Sequence, residues 1–142
     1  MIYTEKTKKA MALCVRAHRD QTDKGGFPYV FHPFHLAEQM QDEDTTVTAL
    51  LHDVAEDTEI TLEQLADMGF GERVMRALCL LSHKEEVPYM DYVAQIKEDD
   101  VARRVKLADL YHNSDLSRLN TLTPKDLARR EKYLTAIAML EE

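Results

Sequence analysis

Apolar residues recur at three- and four-residue intervals along nearly the whole chain, the spacing of helices that each bury one face. Ala10, Leu13 or Cys14, and Ala17 predict a first helix over residues 4–21, with His18 and Gln21 continuing its inner face. Segment 23–29 (Asp-Lys-Gly-Gly-Phe-Pro-Tyr) is the one Gly/Pro-rich loop. His32-Pro33 then opens a second helix, with Pro in the first turn where its missing N–H is harmless, so that His32 stands at the helix mouth. A central helix runs from Thr45 or Thr46 to Asp57. Thr61-Leu62-Glu63-Gln64 reads as the capping box of a short helix that stops at Gly69. Val74, Leu78 and Leu81 mark a helix over 71–82, and Pro88 starts one over 88–98. The next, over 100–119, holds Val101, Val105, Ala108 and Leu110. Thr123-Pro124 starts the last, to residue 140, with Tyr133, Ile137 and Leu140 as its stripe. Strand-length alternation, repeats and linkers are absent. The pattern predicts a single all-α domain over residues 1–142, a compact bundle of about seven to eight helices.

The central helix ends in chemistry. Behind the apolar run Val47, Ala49, Leu50, Leu51 come His52, Asp53, Glu56 and Asp57, one imidazole and three carboxylates in six residues. On a continuous helix His52 lies one turn from Glu56, and Asp53 one turn from Asp57. Such a cluster repels itself unless a cation or water relieves it. Solvated acids beside a satisfied histidine fit the stretch equally well. Neighbours on a helix point roughly 100° apart, so His52 and Asp53 share one ion only by straddling it. A metal site therefore needs donors from elsewhere, and His32 and Asp109 are available. Two imidazoles with two carboxylates suit Mn²⁺, Fe²⁺ or Zn²⁺ rather than Ca²⁺. The spacing is neither HExxH nor a zinc ribbon; a helical bundle permits the convergence without demanding it.

Composition narrows the classes. Hydrophobic residues make up 44% and charged residues 31% of 142, the balance of a soluble domain with a real core. Cys14 and Cys79 both sit among apolar residues and read as reduced core thiols; no CxxC pair exists. With neither a basic-then-apolar leader nor an apolar run near 18 residues, the expected location is cytoplasmic, away from membrane. A net charge of −8 argues against binding a nucleic-acid polymer or an anionic membrane. Between Arg103 and Lys132, however, eight Lys or Arg face four acids. That excess suits a rim for a phosphorylated small molecule, solvated helix faces, or a self-association surface, which leaves a homo-oligomer open.

Several blocks in order resemble one family. They are Ala17-His18, Gln21, Lys24, Gly26, Pro28-Tyr29, His32-Pro33, then Ala49-Leu50-Leu51-His52-Asp53-Val54 through Glu56-Asp57-Thr58, Phe70-Gly71, Lys106-Leu107-Ala108-Asp109 and His112-Asn113. Together they are similar to the HD-domain metal-dependent phosphohydrolases, closest to the hydrolase domain of the RelA/SpoT alarmone enzymes and their small stand-alone relatives. The resemblance implies an HD-type helical bundle in which His32, His52, Asp53 and Asp109 bind one divalent ion. Mn²⁺ is expected, with Fe²⁺, Zn²⁺ or Mg²⁺ as alternatives. Glu56 and Asp57 would be the catalytic acids beside the attacking water, with Glu56 the base. Lys24, Asn113 and Tyr29 would meet the substrate, a phosphorylated nucleotide. The implied reaction removes pyrophosphate from the 3′ position of (p)ppGpp to leave GDP or GTP. His18 is expected to pack or to orient the loop, and His35 and His112 to lie at the surface or behind the ligands.

One position departs from the pattern. Where the alarmone hydrolases usually carry an Arg-Lys pair, this chain has Asp23-Lys24, and an Asp can neither stack on guanine nor neutralise phosphate. At 142 residues the chain is expected to carry the hydrolase-like part alone, without the synthetase domain of the bifunctional enzymes. Phosphohydrolysis of another nucleotide or phosphorylated metabolite is therefore the alternative, and a non-catalytic nucleotide- or metal-sensing module the second.

Overall fold

The computed structural model describes residues 1–142 as nine α-helices without a strand, confirming the all-α reading. In chain order they are α1 (Glu5–Ala17), α2 (Phe31–Glu38), α3 (Glu43–Leu51), α4 (Val54–Asp57), α5 (Leu62–Asp67), α6 (Glu72–Leu81), α7 (Tyr89–Lys97), α8 (Asp100–Ser114) and α9 (Pro124–Glu141). No helix is long and apolar enough to cross a membrane.

Local chemistry sets the helix starts. Thr4, Thr61 and Thr123 each build a reciprocal capping box, ahead of α1, α5 and α9, satisfying N–H groups that no helical carbonyl reaches. Asp42 caps α3, accepting from the backbone N of Thr45 at 2.8 Å.

Helix α3 is the hub. Every residue from Thr45 to Leu51 is buried, and the helix packs on α1, α2, α6 and α8. A helix buried all round belongs inside a core, and one continuous cluster of 28 buried apolar residues surrounds it. Helix α8 runs against both α3 and α9. Val101 and Val105 form its buried stripe, and Asp109 occupies the next turn of the same stripe. A carboxylate thus stands where the pattern asks for an aliphatic side chain.

Four details correct the sequence reading. The central helix is not continuous: it breaks at His52 and Asp53, where Asp53 takes φ −103° and ψ 0°, and restarts as the single turn α4. The count is therefore nine, where about seven to eight were expected. Helix α1 ends at Ala17, because the chain turns at His18 to bring the Gln21 amide onto the Asp57 carbonyl, 2.8 Å away. Helix α8 ends at Ser114, where the Asp115 carboxylate accepts from the Ser117 N–H at 3.0 Å and turns the chain. Cys79 is exposed, not a core thiol: Val74, Ala77, Leu78 and Leu81 face inward, and residue 79 points the other way. Cys14 is buried as expected, and burial pushes its thiol up to about 12.

Candidate active site

Three helices deliver three buried donors to one point. His32 from the first turn of α2, His52 from the end of α3 and Asp109 from α8 hold their ligand atoms within 4.8 Å of one another. Both histidines are only 5% exposed. His32 Nε2 lies 2.9 Å from Asp109 Oδ1, and His52 Nε2 lies 3.6 Å from the same oxygen. The break after α3 adds Asp53. With the helix interrupted, His52 and Asp53 no longer diverge, and Asp53 Oδ2 comes to 3.0 Å from His52 Nε2 and 3.9 Å from His32 Nε2.

Each donor is held from behind. His52 Nδ1 donates to the Ala49 carbonyl at 2.6 Å, which leaves Nε2 to carry either a proton or a metal ion. That Nε2 is buried and has no well-directed hydrogen-bond partner. His32 Nδ1 shares a proton with His112 Nδ1 across 2.7 Å, and the two rings stack with centroids 4.9 Å apart. Burial, then His32, push His112 down to about 4, so it is neutral and can accept that proton. Asp109 Oδ2 takes Lys106 Nζ at 3.0 Å, and its Oδ1 takes the Asn113 amide at 3.0 Å. The Tyr29 hydroxyl donates to Asp53 Oδ2.

The electrostatics suit a cation. Burial alone would lift Asp109, yet the Lys106 ammonium holds its carboxyl well below the usual carboxylate range. Burial alone would depress His52, but the Asp53 charge and contacts with Asp109 reverse this and raise it well above its ordinary value. A buried imidazole lone pair aimed at carboxylate oxygens needs a proton or a metal ion between them. Two nitrogens and two carboxylates fit a borderline divalent ion, which would displace that proton.

Beside the donors sit the two further acids. Glu56, at the rim, accepts from the His83 backbone N–H at 2.6 Å through Oε1. Loss of surrounding water raises its carboxyl above the usual range, although the His83 bond opposes this. Asp57 is raised as well, by burial and then by the Asp53 charge.

A cleft of about 540 Å³ opens from His32, Tyr29 and Asn113 toward α9. Lys24, Arg118, Arg129 and Arg130 line it, so part of the basic excess counted between 103 and 132 faces this space. Lys24 sits on the cleft wall. Tyr29 and Asn113 also line it, but their polar groups are engaged with Asp53 and Asp109. His18 is buried against Tyr29 and bonds Gln21, so it both packs and braces the loop. His35 is half-exposed at Glu38.

Sequence reasoning gave no role to Lys106, His83 or Arg118. Lys106 had a signal, a cation one turn before a carboxylate in a core stripe. His83 and Arg118 act across distant chain positions and had none.

The HD domain family matches residues 10–111. Over 123 residues the chain is 32% identical to a guanosine-3′,5′-bis(diphosphate) 3′-pyrophosphohydrolase of Aquifex aeolicus, covering 78% of this chain and 18% of that protein. It is 30% identical over 141 residues to the bifunctional (p)ppGpp synthase/hydrolase SpoT of Escherichia coli, covering 89% of this chain and 20% of that protein. A solved structure described as a metazoan orthologue of SpoT that hydrolyses ppGpp shares the fold, with a TM-score of 0.76 at 22% identity over 99% of this chain and 87% of that one. The chain spans 20% or less of the length of the curated relatives it matches.

Proposed function

Because the chain belongs to the HD-domain family, we propose that it is a divalent-metal-dependent phosphohydrolase that releases pyrophosphate from the 3′ position of (p)ppGpp. The observation that carries this reading is the buried convergence of His32, His52 and Asp109, with His32 opening onto a cleft that Lys24, Arg118, Arg129 and Arg130 line. The names of the two curated relatives support the substrate.

His32, His52, Asp53 and Asp109 would hold one ion, Mn²⁺ in the first instance. When bound, a divalent cation offsets phosphoryl charge and lowers the pKa of coordinated water toward neutrality. The chain's own side chains do the rest. Glu56 is the general base: its Oε1 is anchored by the His83 N–H, leaving Oε2 to take the proton of the attacking water. Its raised pKa brings it nearer the neutral range where a base works best. Asp57 orients the same water. The water oxygen bonds to the phosphorus next to ribose O3′, the P–O3′ bond breaks, O3′ takes up a proton, and pyrophosphate leaves. Lys106 keeps Asp109 ionised throughout, and the Lys24 ammonium meets phosphate oxygens from the loop side. Tyr29 and Asn113 serve the substrate by fixing the ligands that it approaches.

The test is release of phosphate and pyrophosphate from a nucleotide panel with Mn²⁺, repeated with chelator. The panel includes ppGpp, pppGpp, nucleoside monophosphates and a reduced dinucleotide phosphate. Pyrophosphate from (p)ppGpp, abolished by chelation, is the expected result. Turnover of another phosphoester alone would move the substrate. Silence across the panel with Mn²⁺ bound would overturn the hydrolase reading in favour of a sensing module.

A further inference from the structure

Resting on the hydrolase reading, we propose that Arg118 is the cation of the cleft that recognises the non-reacting phosphate of the nucleotide, with Asp23 as its positioning residue. By composition, Asp23 puts an acid into a cleft built for anions. Its contacts show that this acid is not free. Asp23 Oδ1 accepts from the Gly25 and Phe27 N–H groups at 2.9 and 3.0 Å, closing its own loop. Asp23 Oδ2 holds Arg118 Nη1 at 2.9 Å, joining positions 95 residues apart. The contact is close along the backbone too: a Cβ on Gly25 would stand 2.3 Å from the Arg118 carbonyl oxygen.

Arg118 is tethered but not saturated. A guanidinium has five N–H donors. Asp23 takes one, and the His112 carbonyl receives Nη2 only at 3.5 Å. Arg118 Nε is buried and has no partner. Nε lies out of a ligand's reach, so the donors left for one are the second N–H of Nη1 and those of Nη2, which only the distant His112 carbonyl approaches. Since Arg118 lines the same cleft as His32 and Lys24, those Nη donors meet whatever occupies the cleft. The Asp23–Arg118 pair is close to neutral overall, so Arg118 contributes direction rather than bulk charge. A planar fork of donors matches the spread oxygens of a phosphate. The substrate carries one diphosphate at the reacting 3′ position and another phosphate chain at 5′, and the cleft leads from the donor cluster to Arg118.

Two variants separate recognition from mere tethering. Arg118→Lys keeps a cation that can pair with Asp23 but loses the fork. Asp23→Asn keeps an oxygen for the Gly25 and Phe27 N–H groups but loses the charge facing Arg118. In Mn²⁺-dependent turnover of ppGpp, Arg118→Lys should raise KM by about tenfold or more, with kcat within about threefold and Tm unmoved. Asp23→Asn should raise KM in the same sense by less. Mn²⁺ affinity should stay at the wild-type value in both. An Arg118→Lys enzyme with unchanged KM would overturn the inference, leaving the pair as a loop tether. If the wild type releases no pyrophosphate from ppGpp, the hydrolase reading has failed by itself. Calorimetric binding of GDP to wild type and Arg118→Lys then decides: a loss of about tenfold keeps Arg118 as the phosphate contact, and equal affinities remove it.

Discussion

The donor cluster and the cleft beside it touch at His32, yet they are built in opposite ways. The cluster hangs on α2, α3 and α8, whose packing against one another forms the core, and its histidine and carboxylate donors are braced by side-chain or carbonyl partners. The cleft is walled by the loop after α1, the segment after α8 and the exposed face of α9; of its cations, Arg118 and Arg129 are each held by one ion pair and Arg130 by the Ser114 carbonyl. The difference follows the task. Ligand atoms must stay within a few tenths of an ångström and away from bulk water to hold an ion or activate a nucleophile. Recognition of a flexible, hydrated polyanion tolerates long side chains on loops and is retuned by single changes there. Position 23 illustrates such a change, with an acid that recruits an arginine from the other wall.

The largest effects should come from the cluster. On the proposed mechanism His52→Ala takes away a direct ligand, whereas changes merely behind a ligand lower metal affinity about 10–100-fold. Mn²⁺ binding should therefore weaken more than 100-fold, with turnover at background, measured by Mn²⁺ titration and pyrophosphate release. Glu56→Gln is the contrast within the same site. It should bind Mn²⁺ as the wild type does and lose about 10²–10⁴ in kcat, the contribution of a general base. Equal loss of Mn²⁺ in both would place Glu56 among the ligands.

Next come the two supports. Leu51→Ala removes a fully buried side chain from α3 immediately before His52 and should lower stability by about 2–5 kcal/mol in urea unfolding. Gly25→Ala forces a Cβ against the Arg118 backbone and should cost about 1–3 kcal/mol, the range of overpacking. The expected contrast is functional. Leu51→Ala should weaken Mn²⁺ binding through displaced donors, while Gly25→Ala should leave Mn²⁺ binding alone and raise KM.

Much of this division is legible in the chain. The all-α architecture follows from helical periodicity without any alternating segment, and the Thr61 capping box and the Thr123-Pro124 start mark their helices correctly. Asp109 stands out as a charge in the stripe begun by Val101 and Val105. The break at His52 and Asp53 is invisible because neither Gly nor Pro announces it, and only the Asp53 backbone leaves helical values. That small departure is what turns two side chains expected to diverge by roughly 100° toward one point. The Asp23–Arg118 pair was hidden for another reason. Ion pairs between loops depend on tertiary placement, which local periodicity does not encode. Cys79 was misread because an apolar neighbourhood in sequence includes residues on the solvent side of the same helix.

The smallest expected effect tests how α3 is anchored far from the donors. Asp42 caps it with bonds to the Thr45 N–H and hydroxyl at 2.8 and 2.7 Å, and Arg104 lies 3.8 Å from its other oxygen. Burial is the largest single influence and works against the charge, but the two Thr45 bonds together with Arg104 and Arg73 outweigh it and lower its carboxyl below the ordinary 3.8. A carboxyl depressed in the folded protein binds its proton less readily there than in the unfolded chain. Its contribution is therefore complete above the unfolded value and fades as pH falls through the folded one. Asp42→Ala should cost about 1 kcal/mol at neutral pH, the usual worth of an N-cap. The gap between wild type and variant in urea unfolding should narrow as pH drops below 3.8. A gap constant across that range would mean that the cap acts through shape alone. Mn²⁺ affinity should barely change, since the opposite end of α3, packed on α1, α2, α6 and α8, is what holds His52 in place.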